Sequence, residues 1–281
     1  MKPDQAGFHF DRASNDEIAA FLAEAALAAG PAVMEVYEAG ADVVTKKDGS
    51  PVTVADQRAE AIVCDFLSRA SPRMPMIAEE AASGGEPHAV ADCFLLIDPL
   101  DGTREFLARN GEFTINVALV RKGAPTAGAV FAPALGRLWF GGDRAYACEA
   151  PVGAGLAPEP ARRRIRVRAA PDALTALASR SHGDPQTEAF LGALPIAERK
   201  QRGSSLKFCV IAEGEADVYP RFGPTMEWDT AAGDAVLRAA GGIVLDASGA
   251  PLTYGKVAGH LRNGPFVAWG DGRAAQRYRG R

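Results

Sequence analysis

The seven residues Ile97-Asp98-Pro99-Leu100-Asp101-Gly102-Thr103 bring two carboxylates, a tight turn and a hydroxyl into one short stretch. They continue the apolar run Asp92-Cys93-Phe94-Leu95-Leu96-Ile97, which predicts a buried strand with Asp98 at its end and Asp101 just past the Pro99-Leu100 turn. Pro99 fixes its own φ and biases Asp98 toward extended geometry, while Gly102 lets the chain turn and offer amides to an anion. A hard cation such as Mg²⁺ takes oxygen ligands and keeps several waters, so these carboxylates and the Leu100 carbonyl can begin a site. The chemistry implied is a cation and a phosphate meeting at one corner.

Two-metal phosphate chemistry needs more carboxylates than one turn supplies. Three further patches offer them. Glu79-Glu80 ends the short apolar strand Met76-Ile77-Ala78. Asp229, within Glu227-Trp228-Asp229-Thr230-Ala231-Ala232-Gly233-Asp234, opens an apparent helix, and taken alone it reads as an N-cap. Asp56 follows Thr53 by three residues at another helix start, where the helix dipole favours an acid whatever its function.

The elements that must carry these groups are legible around them. Ser14-Asn15-Asp16-Glu17 matches a capping box, and Ile18, Phe21, Leu22, Ala25, Ala29, Val33 and Val36 recur at helical spacing. A second helix begins near Thr53 and carries Ala59, Ile62, Val63, Phe66 and Leu67 on one face. Strands are expected at 113–121, 126–131, 137–140 and 144–148, separated by Gly and Pro. Residues 149–164, rich in Ala, Pro and Gly and ending in three arginines, form the best linker candidate. Beyond them, strand-like pieces at 165–168, 174–180, 216–219, 242–246 and 266–269 alternate with helices near 187–194, 204–213 and 229–240, the pattern of an α/β layer. The expected division is an N-terminal α+β metal-binding half, 1–160, and a C-terminal α/β substrate-binding half, 161–281.

Composition limits the classes. A chain of 281 residues with 47% hydrophobic content can bury a large core and is not disordered. No run is read as approaching the roughly 20 apolar residues of a membrane span, and no basic-then-apolar signal pattern is seen. A cytoplasmic protein is expected, with peripheral association at an inner membrane left open. Cys64, Cys93, Cys148 and Cys209 are scattered, which argues against a zinc site or a disulfide framework. Residues 1–150 hold 13 basic against 22 acidic side chains, and residues 151–281 hold 18 against 13. An acidic half suits a cation and a basic half an anionic substrate.

In order along the chain, Glu79-Glu80, Asp98–Thr103 and Trp228–Gly233 resemble the motifs of the inositol-monophosphatase-like superfamily of Mg²⁺-dependent, Li⁺-sensitive phosphatases. The similarity runs from the first helix through Ser50-Pro51-Val52-Thr53 to Gly241-Gly242. Within the superfamily, Arg104-Glu105-Phe106, Arg109–Thr114, Ser179-Arg180-Ser181-His182, Gly203–Cys209 and Tyr219–Thr225 resemble the 3'(2'),5'-bisphosphate nucleotidases of the CysQ type. Small departures are Ala81-Ala82 after the Glu pair, Arg104 where Lys is common, and an extension of about a dozen residues at the N-terminus.

The resemblance implies a layered αβαβα sandwich with the active site between its halves. It implies Mg²⁺ held by Glu79, Asp98, Asp101, Asp229 and the Leu100 carbonyl, with Thr103 and Asp56 orienting and deprotonating the attacking water. Gly102 and Thr103 would bind the scissile phosphate through their amides, beside Glu79, Leu100, Asp101 and Asp229. His182, Ser204, Lys207 and Arg221 would hold the nucleotide and its 5'-phosphate, since hydroxyl and cationic groups beyond the first site suit a second phosphate. The substrate implied is adenosine 3',5'-bisphosphate, hydrolysed to AMP in sulfate assimilation, with 3'-phosphoadenylyl sulfate as a second candidate. No nucleic-acid polymer is expected as partner, and oligomeric state is unassigned. The rivals are an inositol or sugar phosphatase and a non-catalytic nucleotide sensor.

Overall fold

The computed structural model describes residues 8–40, 43–45, 51–82, 90–179 and 184–279. Helix α1 (Asn15–Ala39) starts at Ser14, whose side chain and backbone exchange hydrogen bonds with Glu17 in the expected capping box. A small antiparallel pair, β1 (Val43–Thr45) and β2 (Pro51–Thr53), leads into α2 (Val54–Ala70). Then come β3 (Met76–Ala78), α3 (Glu79–Ala82), β4 (Cys93–Asp101), α4 (Thr103–Leu107), β5 (Thr114–Arg121), β6 (Ala124–Ala132), β7 (Arg137–Gly141) and β8 (Ala145–Glu149). After the Pro- and Gly-rich stretch, β9 (Arg163–Ile165) closes the first sheet. The second part holds β10 (Leu174–Ser179), α5 (Pro185–Gly192), β11 (Ile196–Arg202), α6 (Leu206–Ala212), β12 (Val218–Arg221), β13 (Thr225–Met226) and α7 (Trp228–Ala239). It ends with β14 (Ile243–Asp246), β15 (Arg262–Asn263), β16 (Phe266–Trp269) and α8 (Gly272–Arg277).

Seven strands form one sheet in the order β3-β4-β5-β6-β7-β8-β9, and five form another in the order β11-β10-β12-β16-β14. Three apolar clusters fill the spaces between layers. The first joins α1 and α2 to one face of the larger sheet, and the second joins its other face to α6, α7 and the smaller sheet. The third lies under α5 and α8 on the far side. This is the expected αβαβα sandwich.

Several details depart from expectation. β9 lies at 163–165 rather than 165–168 and belongs to the larger sheet, so the seam at 160/161 falls before that sheet's last strand. β11 was not foreseen, because Ile196-Ala197-Glu198-Arg199-Lys200-Gln201-Arg202 is an edge strand with mostly exposed charged side chains. α1 corrects the view that no segment is long and apolar enough to span a membrane. Its apolarity has another cause in the fold, because Ile18, Leu22, Ala26 and Val33 are fully or almost fully buried in the first cluster.

α7 is wedged between the sheets and lies against β5, β6 and β7 on one side and β14 on the other. The close approach depends on Gly128 of β6, where an added Cβ would sit 2.8 Å from the Ala232 carbonyl oxygen and 2.9 Å from Ala232 Cα. Backbone cannot yield as a flexible side chain can. Gly128→Ala is therefore expected to destabilise the chain by about 1–3 kcal/mol, read as a lower denaturation midpoint; an unchanged midpoint would contradict this packing.

Candidate active site

β3 and β4 are parallel neighbours with Ala78 beside Ile97, so Glu79, the first residue of α3, emerges next to Asp98. Asp98 and Asp101 are three residues apart and would point to opposite faces of a regular strand. The pairing of β4 with β5 slips between them: Asp98 faces Asn116 and Asp101 faces Thr114, so three steps on β4 match two on β5. This bulge falls at Pro99, which has no amide for the ladder, and it returns Asp101 to the side of Asp98. Gly102, with φ of +91°, then turns the chain into α4. From the opposite side α7 presents Asp229 in its first turn.

Ten of the expected residues line a single cavity of about 250 Å³. Glu79, Asp98, Leu100, Asp101, Gly102, Thr103 and Asp229 form its acidic end, and Ser204, Lys207 and Arg221 its basic end. Asp56 is not part of the lining. It is buried as N3 of α2, where one carboxylate oxygen accepts from Thr53 N at 2.7 Å and from Thr53 Oγ1 at 2.8 Å. The Thr103 hydroxyl donates to the Leu100 carbonyl at 3.4 Å. The two proposed water-handling groups are thus engaged separately, although β2, which carries Thr53, packs against α4. His182 lies outside the described residues.

The electrostatics of the acidic end are unfavourable as they stand. Burial pushes the Asp98 carboxyl well above the usual range, and the charges of Glu79, Asp101 and Asp229 push it further. Asp229 is raised well above its ordinary value for the same reasons, burial first and then Asp101 and Glu79. Asp101 is raised by burial but held back by the Ser204 hydroxyl, the Lys207 ammonium and the Ser205 amide. Burial lowers Lys207 to about 8 against the attraction of Asp101.

The hydrogen bonds follow a common plan. Asp98 Oδ1 accepts the Leu100 amide at 3.0 Å, Asp229 Oδ2 accepts the Met226 amide at 2.9 Å, and Asp101 Oδ2 accepts from Ser204 and Ser205. Each of these carboxylates has one oxygen tied to the protein. Asp98 Oδ2 is buried with no hydrogen-bond partner, which strongly disfavours an ionised carboxylate. An oxygen-only donor set with an orphaned carboxylate oxygen fits a hard divalent cation. Among the described residues no three acidic, His or Cys side chains already form a coordination group, but Mg²⁺ needs only one or two carboxylates with waters.

The basic end is more committed than its residue types suggested. Lys207 Nζ donates to Ser204 O at 2.5 Å and to Arg202 O at 3.3 Å, and lies 5.1 Å from the centre of the Tyr219 ring. Arg221 donates to Gly223 O at 3.2 Å and to Pro224 O at 3.1 Å. The Ser204 hydroxyl points to Asp101 at 2.7 Å. Thr114, Asn116 and Ser205, to which sequence reasoning gave no role, surround Asp101. A signal for two of them existed: Thr114 and Asn116 are polar residues on a central strand that is otherwise apolar up to Arg121 at its end.

This layered fold, with carboxylates at strand and helix ends facing cationic groups across a cleft, defines a class of metal-dependent phosphatases. The profile of the Inositol monophosphatase family matches residues 14–277. The 3'(2'),5'-bisphosphate nucleotidase CysQ of Escherichia coli (strain K12) is 44% identical over 229 residues, 80% of this chain and 89% of that protein. The crystal structure of CysQ from Bacteroides thetaiotaomicron superposes with a TM-score of 0.75 at 38% identity, covering 90% of this chain and 97% of that one. An inositol monophosphatase from Anabaena shares the fold, with a TM-score of 0.70, 24% identity and 94% of each chain covered. The chain belongs to the inositol monophosphatase family, among its CysQ-type members.

Removing one charge from the cluster should separate stability from function. In chelator, Asp98→Asn is expected to raise the melting temperature by about 2–4 °C, corresponding to about 1 kcal/mol, because it relieves like-charge repulsion. The same variant should lose the additional stabilisation that Mg²⁺ gives the unmodified chain. A lower melting temperature in chelator would contradict the electrostatic account.

Proposed function

We propose that the chain is a Mg²⁺-dependent 3'(2'),5'-bisphosphate nucleotidase that hydrolyses the 3'-phosphate of adenosine 3',5'-bisphosphate to AMP and phosphate, in sulfate assimilation. The observation that carries this reading is the polarity of one cavity, with carboxylates at one end and Ser204, Lys207 and Arg221 at the other. A substrate with a single phosphate would leave that second end unused. Glu79, Asp98, Asp101, Asp229 and the Leu100 carbonyl would hold Mg²⁺, which when bound supplies charge neutralisation and lowers the pKa of water.

The remaining steps belong to the chain itself. Thr103 orients the attacking water, whose proton passes through the Thr103 hydroxyl to Asp56 as that carboxylate gives up its bond to the Thr53 hydroxyl. Burial brings Asp56 up to about 6, so it is largely ionised near neutral pH yet basic enough to accept a proton. The amides of Gly102 and Thr103 stabilise the phosphoryl oxygens as charge builds on them. Lys207 and Arg221 turn toward the second phosphate, exchanging carbonyl partners for charge-assisted bonds to an anion. His182 adds a contact to the nucleotide. No protein nucleophile is required, so no phospho-enzyme forms.

The test is phosphate release with Mg²⁺ from adenosine 3',5'-bisphosphate, inositol 1-phosphate and fructose 1,6-bisphosphate, each with and without chelator. A chelator-sensitive preference for the nucleotide is expected, and Lys207→Ala should reduce kcat/KM for it by at least tenfold while altering a small phosphate ester much less. Preference for inositol 1-phosphate or the sugar would overturn the substrate assignment, and equal losses on both substrate types would remove Lys207 from the second phosphate.

The base assignment sets a pH dependence. Asp56 must be ionised to accept a proton, so the rate is expected to fall as pH drops through about 6. A rate independent of pH between 5 and 7 would exclude that role.

A further inference from the structure

Resting on the reading of Asp101 as a cation ligand, we propose that Thr114, Asn116 and Ser205 are positioning residues that hold its carboxylate with Oδ1 presented to the cation. Asp101 Oδ2 accepts the Ser204 hydroxyl at 2.7 Å, the Ser205 amide at 2.6 Å and a longer bond from Asn116 Nδ2 at 3.5 Å. The Ser204 hydroxyl and the Ser205 amide, the latter shared with Ser204 Oγ at 2.6 Å, occupy the two lone pairs of that oxygen, and Asn116 adds only the long contact. Oδ1 is the oxygen this arrangement leaves to a ligand.

The direction of each hydroxyl proton follows from counting, since a hydroxyl has one proton to give. Ser204 gives its proton to Asp101. Ser205 gives its own to Asn116 Oδ1 at 2.8 Å. The Thr114 hydroxyl lies 2.5 Å from Ser204 Oγ and 2.8 Å from Ser205 Oγ, and both serine oxygens are left as acceptors, so the single Thr114 proton is shared between them. Asn116 is thereby oriented with its amide nitrogen toward Asp101. The whole chain of bonds runs one way and ends on an acceptor-only carboxylate oxygen.

The topology explains why Thr114 and Asn116 can do this and little else, whereas Ser205 also lines the cavity. Across the bulge Thr114 is the strand partner of Asp101, and Asn116 that of Asp98. Both are buried, at 0% and 1% exposure, and neither lines the cavity, so they act through Asp101 and not on a substrate. Ser204 and Ser205 reach them from the start of α6. Ser204 adopts a left-handed φ of +54°, a conformation unfavourable for serine. Two anchors hold that loop: Lys207 Nζ on Ser204 O, and Glu112 accepting the Gly203 amide at 2.8 Å. The second part of the chain thus sets the geometry of a ligand on the first. Groups that orient a ligand in this way alter metal affinity by about 10–100-fold when lost.

The test is titration calorimetry of Mg²⁺ into the metal-stripped full chain, without substrate. Thr114→Val and Ser205→Ala should each weaken Mg²⁺ by about tenfold or more, and Thr114→Ser, which keeps the hydroxyl, should retain the original affinity. The nucleotide KM measured at saturating Mg²⁺ should stay within about twofold. Wild-type Mg²⁺ affinity in both Thr114→Val and Ser205→Ala, whatever their melting temperatures, would overturn the proposal and leave a purely structural network. If Thr114→Val does not fold, Ser205→Ala decides alone. Asp101→Asn is the control: undiminished Mg²⁺ affinity there would show that the ligand assignment itself has failed, and the proposal with it.

Discussion

Like charges gathered in one cavity govern the rest of this structure. Asp98, Asp101, Glu79 and Asp229 cannot all be ionised there without a cation, and burial raises Asp98, Asp101 and Asp229 above the usual carboxylate range. The protein offsets only part of the repulsion. It ties one oxygen each of Asp98, Asp101 and Asp229 with backbone amides, adding a serine hydroxyl on Asp101. Lys207 is the cation whose charge bears most on Asp101, and its own burial lowers its pKa. The arrangement is poor as an end in itself and good as a receptor for a divalent ion.

Such a cluster needs a rigid frame, and the sandwich supplies one. Parallel β3 and β4 bring Glu79 and Asp98 to the same sheet edge, the bulge at Pro99 adds Asp101, and α7 adds Asp229 from between the sheets. α7 is held by backbone contact with β6 and by its own ionic anchors. Arg238 makes two hydrogen bonds to the buried Asp234, which also accepts the Tyr254 hydroxyl at 2.9 Å. Glu227, just before α7, accepts the amides of Gly255 and Lys256. Packing of the core and placement of the carboxylates are therefore the same problem, because the helix that fills the central layer also carries one of the clustered carboxylates.

Much of this could be read from residue order. The long helices α1 and α2, the apolar strand β4 and its two aspartates, and the helix opened by Trp228-Asp229 all have strong local signals in capping, periodicity or turn chemistry. Weaker signals failed for physical reasons. β11 is a polar edge strand, and nothing in its composition separates it from a charged loop. The bulge that brings Asp98 and Asp101 together depends on pairing with β5, which spacing along β4 does not contain. Ser204, Lys207 and Arg221 were read as a polar set suited to an anion, yet the bonds of Ser204 and Lys207 depend on a loop anchored by Glu112, and Arg221 bonds the carbonyls of Gly223 and Pro224 just beyond it. Of the two readings of the acid at Asp56, the structure shows the helix-start one, a capping box with Thr53 at the head of α2, and it buries the carboxyl so that its pKa rises to about 6.

The most direct measurement is a crystal structure of the chain with Mn²⁺ in place of Mg²⁺, with metal positions taken from anomalous scattering. The account predicts a peak in the cavity within coordination distance, about 2.0–2.3 Å, of Asp98 Oδ2 and Asp101 Oδ1. A cavity without anomalous density at saturating Mn²⁺, or a peak bound by other residues, would contradict it.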